Sequence, residues 1–182
     1  MSALLPAERP HIDRPTAVKL LTQHGVGVST SPALLGLRGY YKRTMGDPTA
    51  NDRGIYDDAI VLVSPGRFLA FNGNTDPSKH QPGIATLALG TWSFKWGTHH
   101  PGTPGAYKCL VQAGPFTVER DGGVRETGEF YIHLHRGGLA GTSSLGCQTI
   151  PPSQWDEFVA ATEQVMLAAG VTRIPYCLVE AP

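Results

Sequence analysis

Frequent glycine and proline residues constrain what this chain can fold into more than any other feature. The 182 residues include 22 Gly and 15 Pro, about a fifth of the chain. Both residue types interrupt regular elements, so the sequence predicts many turns and short strands and disfavours a helical bundle. Hydrophobic residues make up 41% of the chain and charged residues 16%, which excludes a disordered protein. Length and uniform composition predict a single domain over residues 1–182.

Charge and hydropathy exclude several classes of partner. The 15 Lys and Arg residues are balanced by 15 Asp and Glu residues, which argues against a nucleic-acid partner because binding phosphates needs a basic excess. No segment approaches the roughly 18 consecutive apolar residues of a membrane span, so the protein is expected not to be membrane-embedded. The first fifteen residues include several charged and proline residues, whereas a classical signal peptide needs an apolar core in this region. Synthesis in the cytoplasm without such a signal is therefore the expectation.

Hydrophobic periodicity predicts an α+β fold that is predominantly β. A short N-terminal helix is predicted over Thr16–His24, between Pro15 and Gly25, and a C-terminal helix over Gln154–Ala169, capped by Ser153. Strands are predicted at Ala59–Val63, Arg67–Phe71, Ala85–Leu89, Tyr107–Gln112, Phe116–Arg120 and Glu129–His135. The first two would form a hairpin, and Asp121-Gly122-Gly123 has the composition of a hairpin turn between the last two.

The segment Phe130–Ile150 contains the side chains that are the best candidates for catalysis. In an extended strand, Tyr131, His133 and His135 point to one face and the apolar Ile132 and Leu134 to the other. The two imidazoles would then face an open surface while the apolar pair enters the core.

A cysteine follows this strand after a loop that is long enough to bring the chain back beside the end of the strand. Cys147 lies 12 residues beyond His135, after a loop of small residues. An imidazole that removes the thiol proton turns a cysteine into a nucleophile. Gly146 allows a substrate to approach the backbone, and the amides around Cys147 are candidates for an oxyanion pocket.

Two stretches of this segment resemble the catalytic signature of the L,D-transpeptidase (YkuD-like) family. They are Leu134-His135-Arg136-Gly137 and Ser144-Leu145-Gly146-Cys147, which are similar to the family's Ile-His-Gly and Ser-His-Gly-Cys elements. Upstream, Thr103–Tyr107 resembles the Thr-Pro-x-Gly-aromatic element of that family. The resemblance covers roughly residues 101–150.

The resemblance implies a β-sandwich with a Cys–His site that acts on the stem peptides of bacterial peptidoglycan. It implies Cys147 as the nucleophile, His135 as its base, and Ser144 and Gly146 as residues that shape the loop and the oxyanion pocket. The implied reaction passes through an acyl-enzyme that is released to water or to an amine, as in an L,D-carboxypeptidase, an endopeptidase or an L,D-transpeptidase.

The chain departs from the family signature at two positions. Leu145 stands where the family has a histidine, and Thr149 stands where an arginine is common. The additional His133 is a candidate replacement for the missing imidazole. A compact, divergent member of this kind suits a phage lytic enzyme or an antibacterial effector that acts in the periplasm or cell wall after phage lysis or specialised delivery. An effector would add an immunity protein or delivery machinery to its partners.

Two further residues are assigned to substrate binding. Arg136 follows the histidine strand and is placed to clamp a substrate carboxylate, although a surface arginine is an equally good interpretation. Tyr131, on the imidazole face, is the second candidate. Cys109 and Cys177 lie in apolar strand contexts and are interpreted as core residues.

Two alternatives to a cysteine enzyme stay open at this point. No metal or other cofactor is predicted, but His133 and His135 form an H-x-H pair that suits zinc, with His99, His100 or Cys109 to complete the ligands. That arrangement would make the protein a zinc-dependent peptidoglycan amidase. The other alternative is a non-catalytic cell-wall-binding or virion structural module, which the missing family histidine favours.

Overall fold

The computed structural model describes residues 3–49 and 51–182, which form a mostly β protein with two helices. The elements in chain order are α1 (Arg14–Gln23), β1 (Ala33–Arg38), β2 (Asp58–Val63), β3 (Phe68–Gly73), β4 (Ala85–Leu87), β5 (Gly90–His99), β6 (Tyr107–Gln112), β7 (Phe116–Arg120), β8 (Arg125–Gly128), β9 (His133–Arg136), β10 (Gln148–Ile150), α2 (Pro152–Ala168) and β11 (Arg173–Glu180). Within these ranges, neither helix combines the length and apolar character needed to cross a bilayer.

An eight-stranded sheet curls until its two edges nearly meet. Its strand order is β10-β9-β6-β5-β11-β1-β2-β3, and a separate sheet has the order β4-β7-β8. The chain just after β3 reaches β10, where Asn74 donates its N–H to the Thr149 carbonyl at 2.9 Å and accepts from the Thr149 N–H at 2.8 Å. This bridge joins the edges of the sheet and brings the loop after β3 beside β10.

Apolar side chains pack on both faces of the large sheet. Along β1, Leu34 belongs to one buried cluster and Leu35 to the other, as the alternation of side chains in a strand requires. The cluster containing Leu35 packs against α1 through Leu21, and the cluster containing Leu34 packs against α2 through Phe158. Because β2 is buried on both faces, its residues are apolar along nearly the whole strand.

Both predicted helices are present, with shifted ends. The first begins at Arg14, two residues earlier than predicted, because the Asp13 carboxylate caps it by accepting from the Thr16 N–H at 2.7 Å. The prediction that Ser153 caps the second helix is wrong: α2 begins at Pro152, and Pro151 holds the cap position without a side-chain hydrogen bond. Its end is confirmed, since Gly170 follows with a φ of 64°.

The strand predictions succeed where a strand is short and bounded by turns. The bounds of β6 and β7 and the β2–β3 hairpin are confirmed. Only the end of the strand predicted over Glu129–His135 is present, because β8 pairs with β7 across the glycine turn and β9 begins at His133. Tyr131 separates the two strands with a left-handed φ of 55°.

Buried carboxyl groups anchor the loop that follows β3. Asp58 accepts hydrogen bonds from the N–H groups of Gly39, at 2.5 Å, and Thr75, at 2.6 Å, which ties this loop to the end of β1. Asp57 and Asp76 are also buried. Burial, reinforced by the charge of Asp58, raises the pKa of Asp57 to about 8 and that of Asp76 to about 9.

We expect Asp76→Asn to flatten the fall of stability with rising pH. In the unfolded chain these carboxyls titrate near ~4, so the folded state binds their protons more tightly. The stabilisation that these two carboxyls contribute is therefore greatest at acidic pH and is lost as the pH rises through their folded pKa values. The variant removes one such group and is expected to exceed the wild type by about 1–3 kcal/mol near pH 9. Urea denaturation across this pH range measures the difference.

The matched control is Asp156→Asn, which alters an exposed carboxyl on α2. It should leave the pH profile of the wild type unchanged. Parallel profiles for the wild type and Asp76→Asn would show that Asp76 ionises freely in the folded protein.

Candidate functional site

The pairing of β9 with β10 places Cys147 beside His133. These strands are parallel, with Gln148 next to Leu134 and Thr149 next to His135, so Cys147, one residue before β10, lies next to His133. Leu134 is buried in the core, as predicted, and His133 and His135 share the opposite face. Strand pairing thus puts Cys147 beside the strand whose two imidazoles share one face.

The Cys147 thiol rests against the backbone of the segment that leads into β9. Its Sγ accepts a hydrogen bond from the His133 N–H at 3.4 Å and lies 3.9 Å from the carbonyl oxygen of Tyr131. Burial raises the pKa of Cys147, and the His133 N–H opposes that effect. Of the three cysteines, Cys147 alone is partly exposed, whereas Cys109 and Cys177 are buried. The thiol is therefore the resting form, and a base is needed to activate it.

A third histidine, His99 at the end of β5, packs against both strand histidines. Its Nδ1 is 3.0 Å from Nδ1 of His133, so one ring donates and the other accepts. Its ring also stacks on His135, with centroids 4.1 Å apart and planes inclined by 15°. The extension of β5 to His99 is what brings this ring beside the other two.

His135 is enclosed by its neighbours and does not face an open surface. The side chain is 3% exposed, because His99 covers its ring and the Tyr107 hydroxyl lies 3.3 Å from its Nδ1. The Nδ1–H donates to the Arg136 carbonyl at 2.8 Å, which leaves Nε2 with the free lone pair. Burial lowers the pKa of His135 to about 3 and that of His99 to about 4, so both rings are neutral near pH 7.

The loop before Cys147 is closed by the Ser144 side chain. Ser144 Oγ donates to the carbonyl of Cys147 at 2.7 Å and accepts from the N–H of Gly146 at 3.0 Å. The Gly146 N–H is thus already used. The Cys147 N–H, in contrast, donates to no group in the part of the chain that the structure describes.

Side chains that the sequence did not indicate hold this loop in place. Ser78 Oγ accepts from the Ser144 N–H at 2.7 Å, and the Ser78 N–H donates to the Ser144 carbonyl at 2.8 Å. The Tyr56 hydroxyl donates to the Gly138 carbonyl at 2.8 Å. No motif marks Ser78 or Tyr56, because their role depends on loops that meet only in the folded protein.

Gly146→Ala is expected to disrupt the loop that carries Cys147. Gly146 has a φ of 125°, and a Cβ there would lie 2.2 Å from the Ala85 carbonyl oxygen, which belongs to backbone and cannot rotate away. We expect a loss of about 2–4 kcal/mol in the free energy of unfolding, measured by urea denaturation. Gly141→Ala is the control, because a Cβ at that position meets nothing within 4 Å. Equal effects of the two substitutions would contradict this account of Gly146.

The two predicted substrate-binding residues lie near opposite ends of β9. The Arg136 guanidinium is exposed and lies 4.8 Å from the centroid of the Tyr107 ring. Arg136 and Tyr107 line a groove of about 340 Å³ that extends along α2 past Trp155 to Glu163. Tyr131 precedes β9 and is 83% exposed. Its left-handed φ of 55° ends the strand alternation from which a shared face with the imidazoles was predicted.

One cluster in the described chain is suited to hold a metal ion. It consists of His99, Cys109 and His133, whose donor atoms all lie within 4.8 Å of one another. Cys109 is fully buried, as expected for a core residue, yet its Sγ is 3.9 Å from Nδ1 of His133. His135 and His100, which the sequence analysis also considered as ligands, are outside this cluster.

No family model, no curated protein and no solved structure matches the chain.

Proposed function

We propose that this protein is a cysteine-dependent enzyme that acts on the stem peptides of peptidoglycan. The observation that carries the proposal is the placement of the Cys147 thiol, which accepts a hydrogen bond from the N–H of His133 on the strand that carries the two imidazoles. The thiolate would attack an amide carbonyl of the stem and form a thioester, and the departing amine would take a proton from the imidazole. Water or an amine would then release the acyl group.

His133 is the imidazole that we assign as the base. It lies next to Cys147 across the strand pair, whereas His135 lies next to Thr149. If Nδ1–H of His133 donates to Nδ1 of His99, its Nε2 keeps the lone pair that accepts the thiol proton. His135, which the family resemblance implies as the base, would instead support His99 through ring stacking.

The loop geometry supports stabilisation of the developing oxyanion. The Cys147 N–H, which donates to no group among the described residues, would donate to the oxygen of the attacked carbonyl, and the Ser144 hydrogen bonds hold the loop that carries this N–H. Arg136, exposed at the edge of the groove beside Tyr107, would pair with a carboxylate of the stem peptide.

Exposed apolar side chains in the segment before β9 and in the loop between β9 and β10 would suit the aliphatic parts of a stem peptide. They are Tyr131, Leu139 and Leu145. Leu145 stands where the resembled family has a histidine, so this side chain would contact substrate without taking part in proton transfer.

The assignment to peptidoglycan rests on the resemblance to the L,D-transpeptidase signature over residues 101–150. The corresponding β-sandwich would be formed by the curled eight-stranded sheet, with the smaller sheet against it. We favour hydrolysis of the acyl-enzyme, as in a phage lytic enzyme or an antibacterial effector acting in the periplasm or cell wall.

The test is mass spectrometry of purified peptidoglycan fragments after incubation with the protein. We expect the untreated protein to release or exchange a stem residue, and the product masses identify the bond and the acceptor. Protein alkylated with iodoacetamide is the control, because Cys147 is the partly exposed thiol and the other two are buried. Unchanged fragments with the untreated protein would contradict the proposal, and retention on wall sacculi without any product would indicate a wall-binding module instead.

A further inference from the structure

We propose that His99, Cys109 and His133 form a binding site for a thiophilic divalent cation, with Zn²⁺ as the best fit. The three residues come from the neighbouring strands β5, β6 and β9. Their donor atoms already lie within 4.8 Å of one another, so the sheet itself assembles the site.

Two of the distances between donor atoms lie close to those of tetrahedral zinc. With Zn–N bonds of ~2.0 Å and Zn–S bonds of ~2.3 Å, a tetrahedron separates two nitrogens by roughly 3.3 Å and a nitrogen from a sulfur by roughly 3.5 Å. The observed separations are 3.0 Å between Nδ1 of His99 and Nδ1 of His133, and 3.9 Å between Nδ1 of His133 and Sγ of Cys109. They differ from the tetrahedral values by about 0.3 Å and about 0.4 Å, which small rotations of the side chains would correct.

The chemistry of the ligand set also favours zinc over harder cations. Two imidazoles and a thiolate are the donors that zinc prefers, whereas Ca²⁺ and Mg²⁺ take oxygen ligands. On binding, the cation would replace the Cys109 thiol proton, which passes to solvent, and both histidines would carry their remaining proton on Nε2. His99 is partly exposed, so the cation has a route into the site from solvent.

Three protein ligands leave one coordination position for water, as in an open zinc site. The bound cation would also occupy Nδ1 of His133 and shift the proton of that ring to Nε2. Resting on the proposed function, zinc would therefore inhibit activation of Cys147.

Titration of the metal-free full chain with Co²⁺ tests the site without any assay of activity. Tetrahedral Co²⁺ gives visible absorption bands, and a thiolate ligand adds a charge-transfer band in the near ultraviolet. We expect both signals to saturate at one equivalent and to disappear when Zn²⁺ is added. Cys109→Ser should remove the charge-transfer band, and His99→Gln should weaken binding roughly 10-fold or more.

Matched controls separate loss of a ligand from loss of the fold. Cys177→Ser changes another buried thiol, and His80→Gln changes an exposed histidine; both should bind Co²⁺ like the wild type. Thermal unfolding without metal establishes that each variant is folded. Absence of the bands in the wild type, their persistence in Cys109→Ser, or their loss in Cys147→Ser would overturn this ligand set.

Cobalt binding and turnover of stem peptides are measured separately, so either proposal can be overturned without the other. A wild type that binds no cobalt but processes stem peptides overturns the metal site and leaves the proposed function intact. Cobalt binding by a protein that produces no peptide products overturns the proposed function and leaves the metal site intact.

Discussion

Cys147→Ala should abolish turnover of stem peptides while leaving the fold intact. The substitution removes the atom that would form the thioester, so we expect activity to fall by at least ~10³-fold. The side chain is partly exposed, and the hydrogen bonds of its sulfur within residues 3–49 and 51–182 are two weak ones, so the stability should change little. Product formation measured by mass spectrometry, together with the urea midpoint, gives both quantities.

Cys177→Ala is the control for the loss of a thiol as such. Cys177 is fully buried in β11, far along the sheet order from β10, and its removal should cost some stability without changing the chemistry. Full activity in Cys147→Ala would exclude covalent catalysis by this residue. Equal losses in both variants would point to a general structural effect.

His133→Gln should reduce turnover more than His135→Gln does. An imidazole that acts as a base contributes about 10²–10⁴-fold to a rate, and the strand register puts His133 beside the thiol. His135→Gln removes a buried ring that stacks on His99, so a smaller effect on turnover and a larger one on stability are expected. Rates of thiol alkylation and of peptide turnover, measured on the same folded samples, separate the two roles.

The reverse order would assign the base to His135, as the family resemblance implies. His80→Gln is the control, since His80 is an exposed histidine and its loss should leave both rates unchanged.

The sequence predicted those parts of the fold that depend on local signals. Apolar spacing and the flanking proline and glycine residues identified both helices, and short strands closed by turns, such as β6 and β7, were located correctly. The apolar strand context of Cys177 was recognised, but the bounds of β11 and its place in the middle of the large sheet between β5 and β1 were not predicted. Its position is set by long-range pairing, and nothing in its own residues specifies a neighbour.

The site was predictable to the extent that it lies on one strand and one loop. The alternation of Ile132, His133, Leu134 and His135 predicted which side chains enter the core, and the spacing to Cys147 predicted a return of the chain. The third histidine comes from the end of β5, and no local pattern indicates that this strand reaches residue 99. The predicted alternation does not extend to Tyr131, because a positive φ, which no sequence pattern indicates, ends the extended segment there.

The most direct test of the central claim is the mass of the intact protein after brief incubation with a stem peptide and acid quenching. The account predicts an added mass equal to the acyl part of the stem, located on the peptide that contains Cys147 and absent from Cys147→Ala. Product formation without any adduct on Cys147, or an adduct on another residue, would contradict it.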